Sequence, residues 1–282
     1  MIQVVTDSTA DIPPELVKAA GIWVVPCTIH FGTETYRDGI DLAGDAFYQK
    51  MREYPTLPKT AAPAPGEFLA AYRRARDAGH DVLSLHVSHK VSSTYNNALL
   101  AAAQFGERVA VIDSLTASMA NGLLVLRAAA AARSGATLAE LRRYAESLVP
   151  RLNLYVGADT LENLRKGGRI GRATAFLGTM LNIKPLIAVV DGEVVPVERV
   201  RTMGRTLNRM VELMQERDPE GPVAVGYTDV PEAARMIREL VEQAMPRLET
   251  ITYQAGPAVG THAGRGAVGL AFVGKPTGSS RR

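Results

Sequence analysis

One alternation constrains this chain more than any other feature. Apolar, β-rich runs at residues 2–5, 22–31, 81–87 and 108–112 are separated by segments with helical patterning. Pro13-Pro14 opens the first helix, which runs through Ala20. Residues 67–79 place Phe68, Leu69 and Tyr72 on one helical face, and 95–105, 119–133 and 138–148 read as further helices. Such a β-α repeat implies a parallel sheet with helices on both faces. Parallel strands end on one edge, where open α/β sheets take their ligands. The loops expected there carry Asp7, Ser8 and Thr9, then Ser88, Ser92, Ser93 and Thr94, then Asp113 and Ser114. Hydroxyls and carboxylates of this kind also cap helices, so Asp11 is expected near the cap of the first helix and one of residues 92–94 at the start of the 95–105 helix.

The second half reads differently. Pro150 marks a boundary, and residues 152–157 begin a new α/β unit. Residues 160–172 form a short helix stopped by Gly167-Gly168, leaving Arg169 and Arg172 on a basic loop. Strands at 183–190 and 194–200 meet at Asp191-Gly192, a hairpin signal. Helices at 205–216 and 231–245 alternate with strands at 223–227, 250–254 and 267–273. Hairpin and crossover together imply a mixed sheet. The expected organisation is therefore α/β with two domains and a ligand cleft between them. Residues 1–150 form a parallel-sheet domain, 151–276 a mixed-sheet domain, and 277–282 a disordered tail.

Two stretches are unusual. Leu57-Pro-Lys-Thr-Ala-Ala-Pro-Ala-Pro-Gly66 is rigid and extended, with Thr60 its hydroxyl. Residues 254–272 are dense in glycine and hold Thr261 and His262, so tight turns or close backbone approach are expected. Gly264-Arg-Gly-Ala-Val-Gly269 matches G-x-G-x-x-G, but a strand follows it where a dinucleotide site needs a helix. The stretch reads as a loop that brings in a closing strand or aims His262 into a cleft.

Composition excludes several classes. The chain has 282 residues, 46% of them hydrophobic, which is ample for a real core. Its 32 basic and 29 acidic residues leave +3, with no like-charge run that suggests nucleic acid. Cys27 is the one cysteine, so no disulfide follows, and a small buried apolar role is expected. His86 and His89 lack a third ligand at metal spacing. The first residues lack a secretory signal, and the apolar run 122–132 contains Arg127 and is too short to span a bilayer. A soluble, cytoplasmic protein is expected. Neither G-x-x-x-x-G-K-[ST] nor G-x-S-x-G occurs, which disfavours the alternative of a small-molecule kinase or hydrolase acting in the cleft.

Seven motifs in order give a resemblance. They are Thr6-Asp-Ser-Thr-Ala-Asp11, Pro58-Lys-Thr60, Val91-Ser-Ser-Thr-Tyr95, Val111-Ile-Asp-Ser114, Leu161-Glu-Asn-Leu-Arg-Lys-Gly-Gly-Arg169, Ile183-Lys-Pro185 and Gly256-Pro-Ala-Val-Gly-Thr-His262. From about residue 2 to 275 the chain resembles the DegV family, the fatty-acid-binding subunits of bacterial fatty acid kinase. The resemblance implies a long-chain fatty acid between two α/β domains, with no other cofactor and no metal. The carboxylate ligands match Thr60 and Ser92, and the neighbouring arginine and histidine match Arg169 and His262. A separate ATP-binding kinase subunit would phosphorylate the carboxylate to acyl phosphate for phospholipid synthesis, with Arg169 and His262 assisting. Transient membrane-surface contact is compatible with that role, and nucleic acid is not expected.

The sequence departs from the family pattern in three places. Ser93 stands where glycine is usual, so either serine can meet the carboxylate. Ala61-Ala62 replace Ser-Gln, and Arg265 replaces proline beside His262. Physically, each buried CH₂ contributes ~0.8 kcal/mol, so a sixteen-carbon tail could gain on the order of 10 kcal/mol before ordering costs. The polar contacts then fix orientation and prevent an unpaired charge at the mouth.

Overall fold

The computed structural model describes residues 1–176 and 183–276. The tail expected at 277–282 lies outside the described residues.

The first half opens with β1 (Ile2–Asp7), α1 (Pro14–Ala20), β2 (Trp23–Val25), β3 (Thr28–Phe31) and β4 (Glu34–Arg37). It continues through α2 (Gly44–Glu53), β5 (Lys59–Ala61), α3 (Pro65–Asp77), β6 (Asp81–His86) and α4 (Thr94–Ala102). It closes with β7 (Val109–Asp113), α5 (Ser118–Arg133) and α6 (Leu138–Leu148). Strands β2-β1-β6-β7 form an all-parallel sheet, as the β-α repeat implies. Phe68 and Tyr72 of α3 and Ala98 of α4 cover one face, against Val5, Val82 and Val109.

The expected strand at 22–31 is in fact two strands in two sheets. Pro26 lacks the N–H that would continue the ladder, and the run breaks there. Residues 23–25 pair with β1, while β3 joins an antiparallel sheet of order β4-β3-β5. The proline-rich stretch therefore contributes strand β5 as well as extended coil. Ile29, Phe31, Phe47 and Tyr48 form the core beneath this small sheet.

The second half contains β8 (Leu152–Gly157), α7 (Glu162–Lys166), β9 (Lys184–Val190), β10 (Glu193–Val200), α8 (Met203–Glu216) and β11 (Val223–Tyr227). It ends with α9 (Pro231–Ala244), β12 (Thr250–Gln254), α10 (Pro257–Ala263) and β13 (Val268–Val273). The sheet is mixed, in the order β10-β9-β8-β13-β11-β12. At the β9–β10 turn, Asp191 and Gly192 have φ of 50° and 83°, the two positive values a type I′ hairpin needs. Leu207, Met210 and Met214 of α8 and Ile237 and Val241 of α9 bury the outer face.

Helix α5 belongs to both halves. Met119, Leu123 and Leu124 lie in one core with Leu83, Leu85 and Ile112 of the first sheet and Leu154, Ala224 and Ala271 of the second. A helix apolar nearly all round is one buried on all sides.

Candidate functional site

A cavity of about 310 Å³ lies between the two halves. That is the lower end of the range for small-molecule sites. Thr9, Cys27, Thr60 and Val87 line it from the first half, and strands β8, β9, β10 and β13 line it from the second. Its apolar wall is mainly aliphatic, built from Leu154, Val156, Leu164, Ile187, Val189 and Val194, with Tyr227 and Tyr253 beside them. Val156 and Ile187 face each other in register on adjacent strands, so this wall is a continuous patch of sheet. All five candidate residues, Thr60, Ser92, Ser93, Arg169 and His262, also line the cavity.

The polar residues are brought together by short contacts between distant elements. Thr60, on β5, has its Oγ1 2.9 Å from His262 Nε2, on α10. His262 Nδ1 is buried without a hydrogen-bond partner and packs against Gly167, where an added Cβ would stand 2.3 Å from it. Arg169 donates from Nε to the Val91 carbonyl at 3.0 Å and from Nη1 to the Gly167 carbonyl at 2.6 Å. Ser92 follows Val91, and its Oγ accepts the Thr94 N–H at 3.2 Å. Ser92 is thus the hydroxyl that caps α4. Ser93, at the N-cap position, makes no side-chain cap bond and is the more exposed of the two.

Burial, and then the Arg169 charge, hold the His262 pKa down to about 4, so the ring is neutral near pH 7. A buried N–H without an acceptor is rarer than an under-used acceptor, which places the proton on Nε2. Nε2–H then donates to Thr60 Oγ1, and the Thr60 hydroxyl keeps its own proton to offer to a ligand. The site presents hydroxyl donors and one guanidinium around a neutral imidazole. That set suits a carboxylate without requiring a proton to move.

The first part of the glycine-dense stretch is a helix, α10, rather than a loop, and residues 264–267 form the expected turn into the closing strand β13. Its expected close approach is real: a Cβ at Gly260 would stand 2.3 Å from the Tyr48 hydroxyl. Asp11 is not at the cap of α1. It accepts the Gly256 N–H at 2.9 Å and the Ser118 hydroxyl at 2.6 Å, anchoring α10 to α5. Asp38 accepts from Ser8 Oγ at 2.7 Å and from the Ala258 N–H at 3.4 Å. Burial raises Asp11 well above the carboxylate range and Asp38 to about 6. Cys27 is buried at the cavity wall, and burial raises its thiol well above its ordinary value, so it is no ready nucleophile.

The G-x-G-x-x-G match leads into β13, and the anion place beside it is filled. Asp229 Oδ1 accepts the Gly266 N–H at 2.8 Å, and Asp229 Oδ2 pairs with Arg265. Arg265 therefore spends its charge on Asp229, not beside His262. A Ser–His–Asp sequence of contacts exists elsewhere. Tyr72 donates to Ser84 Oγ at 2.9 Å, Ser84 lies 2.7 Å from His86 Nε2, and His86 Nδ1 lies 2.8 Å from Asp7 Oδ2. All four are buried and none lines the cavity, so the chain braces β1 against β6 and α3. His89 pairs with Asp113. Among the described residues no group of histidine, cysteine or acidic side chains is placed to hold a metal, and no helix is long and apolar enough to cross a membrane.

Sequence reasoning missed Gly167 as a neighbour of His262. Gly167-Gly168 signalled a helix stop, and nothing local shows which ring the first glycine faces.

Fold and site together define an α/β protein with a parallel sheet, a mixed sheet and a small antiparallel sheet, and an internal, mainly aliphatic cavity lined also by hydroxyls, one arginine and one histidine. The family model DegV, described as "Uncharacterised protein, DegV family", matches residues 1–275. The chain belongs to the DegV family. A DegV domain-containing protein of Deinococcus radiodurans is 37% identical over 279 residues, covering 96% of this chain and 98% of the relative. The solved structure of a DegV family protein from Thermus thermophilus, described as fatty acid binding, has a TM-score of 0.90 at 33% identity, covering 96% of this chain and 99% of that one. DegV of Bacillus subtilis, described as a fatty acid binding protein, has a TM-score of 0.88 at 32% identity, covering 97% and 99%.

Proposed function

We propose that this protein binds a long-chain fatty acid in the cavity and presents its carboxylate to a separate ATP-binding kinase subunit, which makes the acyl phosphate. One observation carries the reading: a single cavity joins an aliphatic wall to a cluster of carboxylate-compatible donors. The tail lies against the aliphatic wall, where burial supplies most of the affinity. Thr60 and Ser92 donate to the carboxylate, with Ser93 the neighbouring donor. Arg169 balances the carboxylate now and the transferring phosphoryl charge later, and His262 orients Thr60. The chemistry itself belongs to the partner, because the described residues of this cavity offer donors and no phosphate cradle or activated nucleophile. The fatty-acid-binding description of the Thermus thermophilus and Bacillus subtilis proteins supports the first half of this reading.

Native mass spectrometry and lipid extraction of the purified protein test it. A fatty acid at near one-to-one occupancy is expected. Protein that carries no fatty acid and takes up none of an added C14–C18 series would overturn the reading.

A further inference from the structure

Ser88 is fully buried, and it organises the turn that carries Ser92. Its carbonyl accepts the N–H groups of both Val91 and Ser92 at 3.1 Å, and its own N–H donates to the Thr116 carbonyl at 2.9 Å. Its hydroxyl accepts the Lys90 N–H at 3.1 Å, which closes the turn from inside. The same hydroxyl donates to the Gly192 carbonyl at 3.0 Å, 104 residues away. Gly192 is the tip of the β9–β10 hairpin, and that hairpin supplies Ile187, Val189 and Val194 to the aliphatic wall. The joint is tight from the other side too, since a Cβ at Gly192 would stand 2.3 Å from Ser88 Oγ.

We infer that Ser88 is a positioning residue, one that fixes the carboxylate-facing hydroxyl of Ser92 relative to the wall that receives the tail. The hydroxyls proposed for the head group, on Thr60 and Ser92, come from the first half, and the aliphatic wall proposed for the tail comes from the second. A rigid ligand contact at both ends needs the two halves in register, and the Ser88–Gly192 bond joins the tip of one wall to the root of the other contact. The inference rests on the proposed fatty-acid reading of the cavity.

The experiment is a double-mutant cycle on palmitate affinity, using Ser88→Ala, Ser92→Ala and the double variant of the full chain. Ser92→Ala should weaken binding at least about tenfold, the worth of one hydrogen bond to a charged group, and Ser88→Ala about fivefold, the worth of one neutral hydrogen bond. The double should be within about twofold of Ser92→Ala alone, because a mispositioned group that is already gone costs nothing more. Ser88→Cys, which keeps a small side chain but makes only a weak hydrogen bond to the Gly192 carbonyl, should reproduce much of the Ser88→Ala loss and keeps the test alive if Ser88→Ala fails to fold. Unchanged affinity in Ser88→Ala, fully multiplicative losses in the double variant, or a silent Ser92→Ala would each overturn the inference. Wild-type protein that does not bind palmitate would defeat the fatty-acid reading instead, before the cycle begins.

Discussion

Thr60 Oγ1 stands 2.9 Å from His262 Nε2, although 202 residues of chain separate them. A three-residue strand brings one partner and a seven-residue helix the other. Neither element would hold its place alone. β5 is kept by its pairing with β3, and α10 is kept by Asp11, Asp38 and the Asn163 amide, which donates to the Thr261 carbonyl at 3.0 Å.

Removing the two proposed carboxylate donors should empty the site while the fold persists. In Thr60→Ala/Ser92→Ala, each lost hydrogen bond to a charged group should cost ~1.5–3 kcal/mol of fatty acid affinity. Lipid extraction after extensive washing measures it. Wild-type occupancy in the double variant would remove both residues from the ligand contact, and Ser93→Ala tests the neighbouring serine.

Gly167→Ala isolates the placement of His262. The φ of −76° at Gly167 suits any residue, so the change acts through space alone. The new Cβ would meet Nδ1 at 2.3 Å and force the ring off Thr60. A stability loss of about 1–3 kcal/mol is expected from such crowding. Thermal unfolding reads the loss.

His262 should make the protein acid-sensitive. Its pKa is depressed in the fold to about 4, so folding favours the neutral ring. That contribution is present in full above the unfolded value near 6.5 and is lost as pH falls through 4. Denaturant unfolding from pH 7 to 3.5 should show the ligand-free wild type losing on the order of 3 kcal/mol more than His262→Gln. Parallel curves for the two proteins would contradict the assignment.

Asp38 should act with the opposite sign. Burial raises its pKa to about 6, so folding favours the protonated form. Its contribution is complete below about 4 and is lost as pH rises through 6. Asp38→Asn keeps an acceptor for Ser8 and for the Ala258 N–H without a charge. It should gain on the order of 2–3 kcal/mol over the wild type between pH 4 and 7.5. Chemical denaturation at the two pH values decides the matter.

Arg169 and His262 should matter more for phosphorylation than for loading. If, as proposed, the aliphatic wall supplies most of the affinity, Arg169→Ala and His262→Ala should still carry fatty acid. With a cognate kinase subunit and ATP, acyl phosphate formation should fall at least tenfold, ~1.4 kcal/mol in the barrier. Full turnover in both variants would leave Arg169 as a brace between Val91 and Gly167 and no more.

The parts of the molecule set by local periodicity were legible in the sequence. The β-α order, the Asp191-Gly192 hairpin and the buried last strand all follow from patterns a few residues long. The small antiparallel sheet was not legible, because a continuous β-rich run hides the break at Pro26. Helix α10 was hidden for the converse reason. Glycine lowers helix propensity, but Gly256 and Gly260 let the backbone lie against Asp11, Asp38 and Tyr48, and that tertiary contact overrides propensity. Thr60, Ser92, Ser93, Arg169 and His262 were readable only through family motifs. Their convergence on one cavity depends on contacts across the whole chain, as does the fit of Gly167 to the imidazole.

Helix α5 has a consequence for how a ligand gets in. Its apolar surface is shared by both sheets, so swinging the halves apart like a clamshell would strip one side of it. Each side chain such as Leu123 or Leu124 exposed in that motion would cost ~1.5–3 kcal/mol. The cheaper route leaves the spine intact and moves only the segments at the rim. Acyl chains should therefore thread in lengthwise, and exchange rates should respond to substitutions around the mouth while staying indifferent to those along the spine's far end.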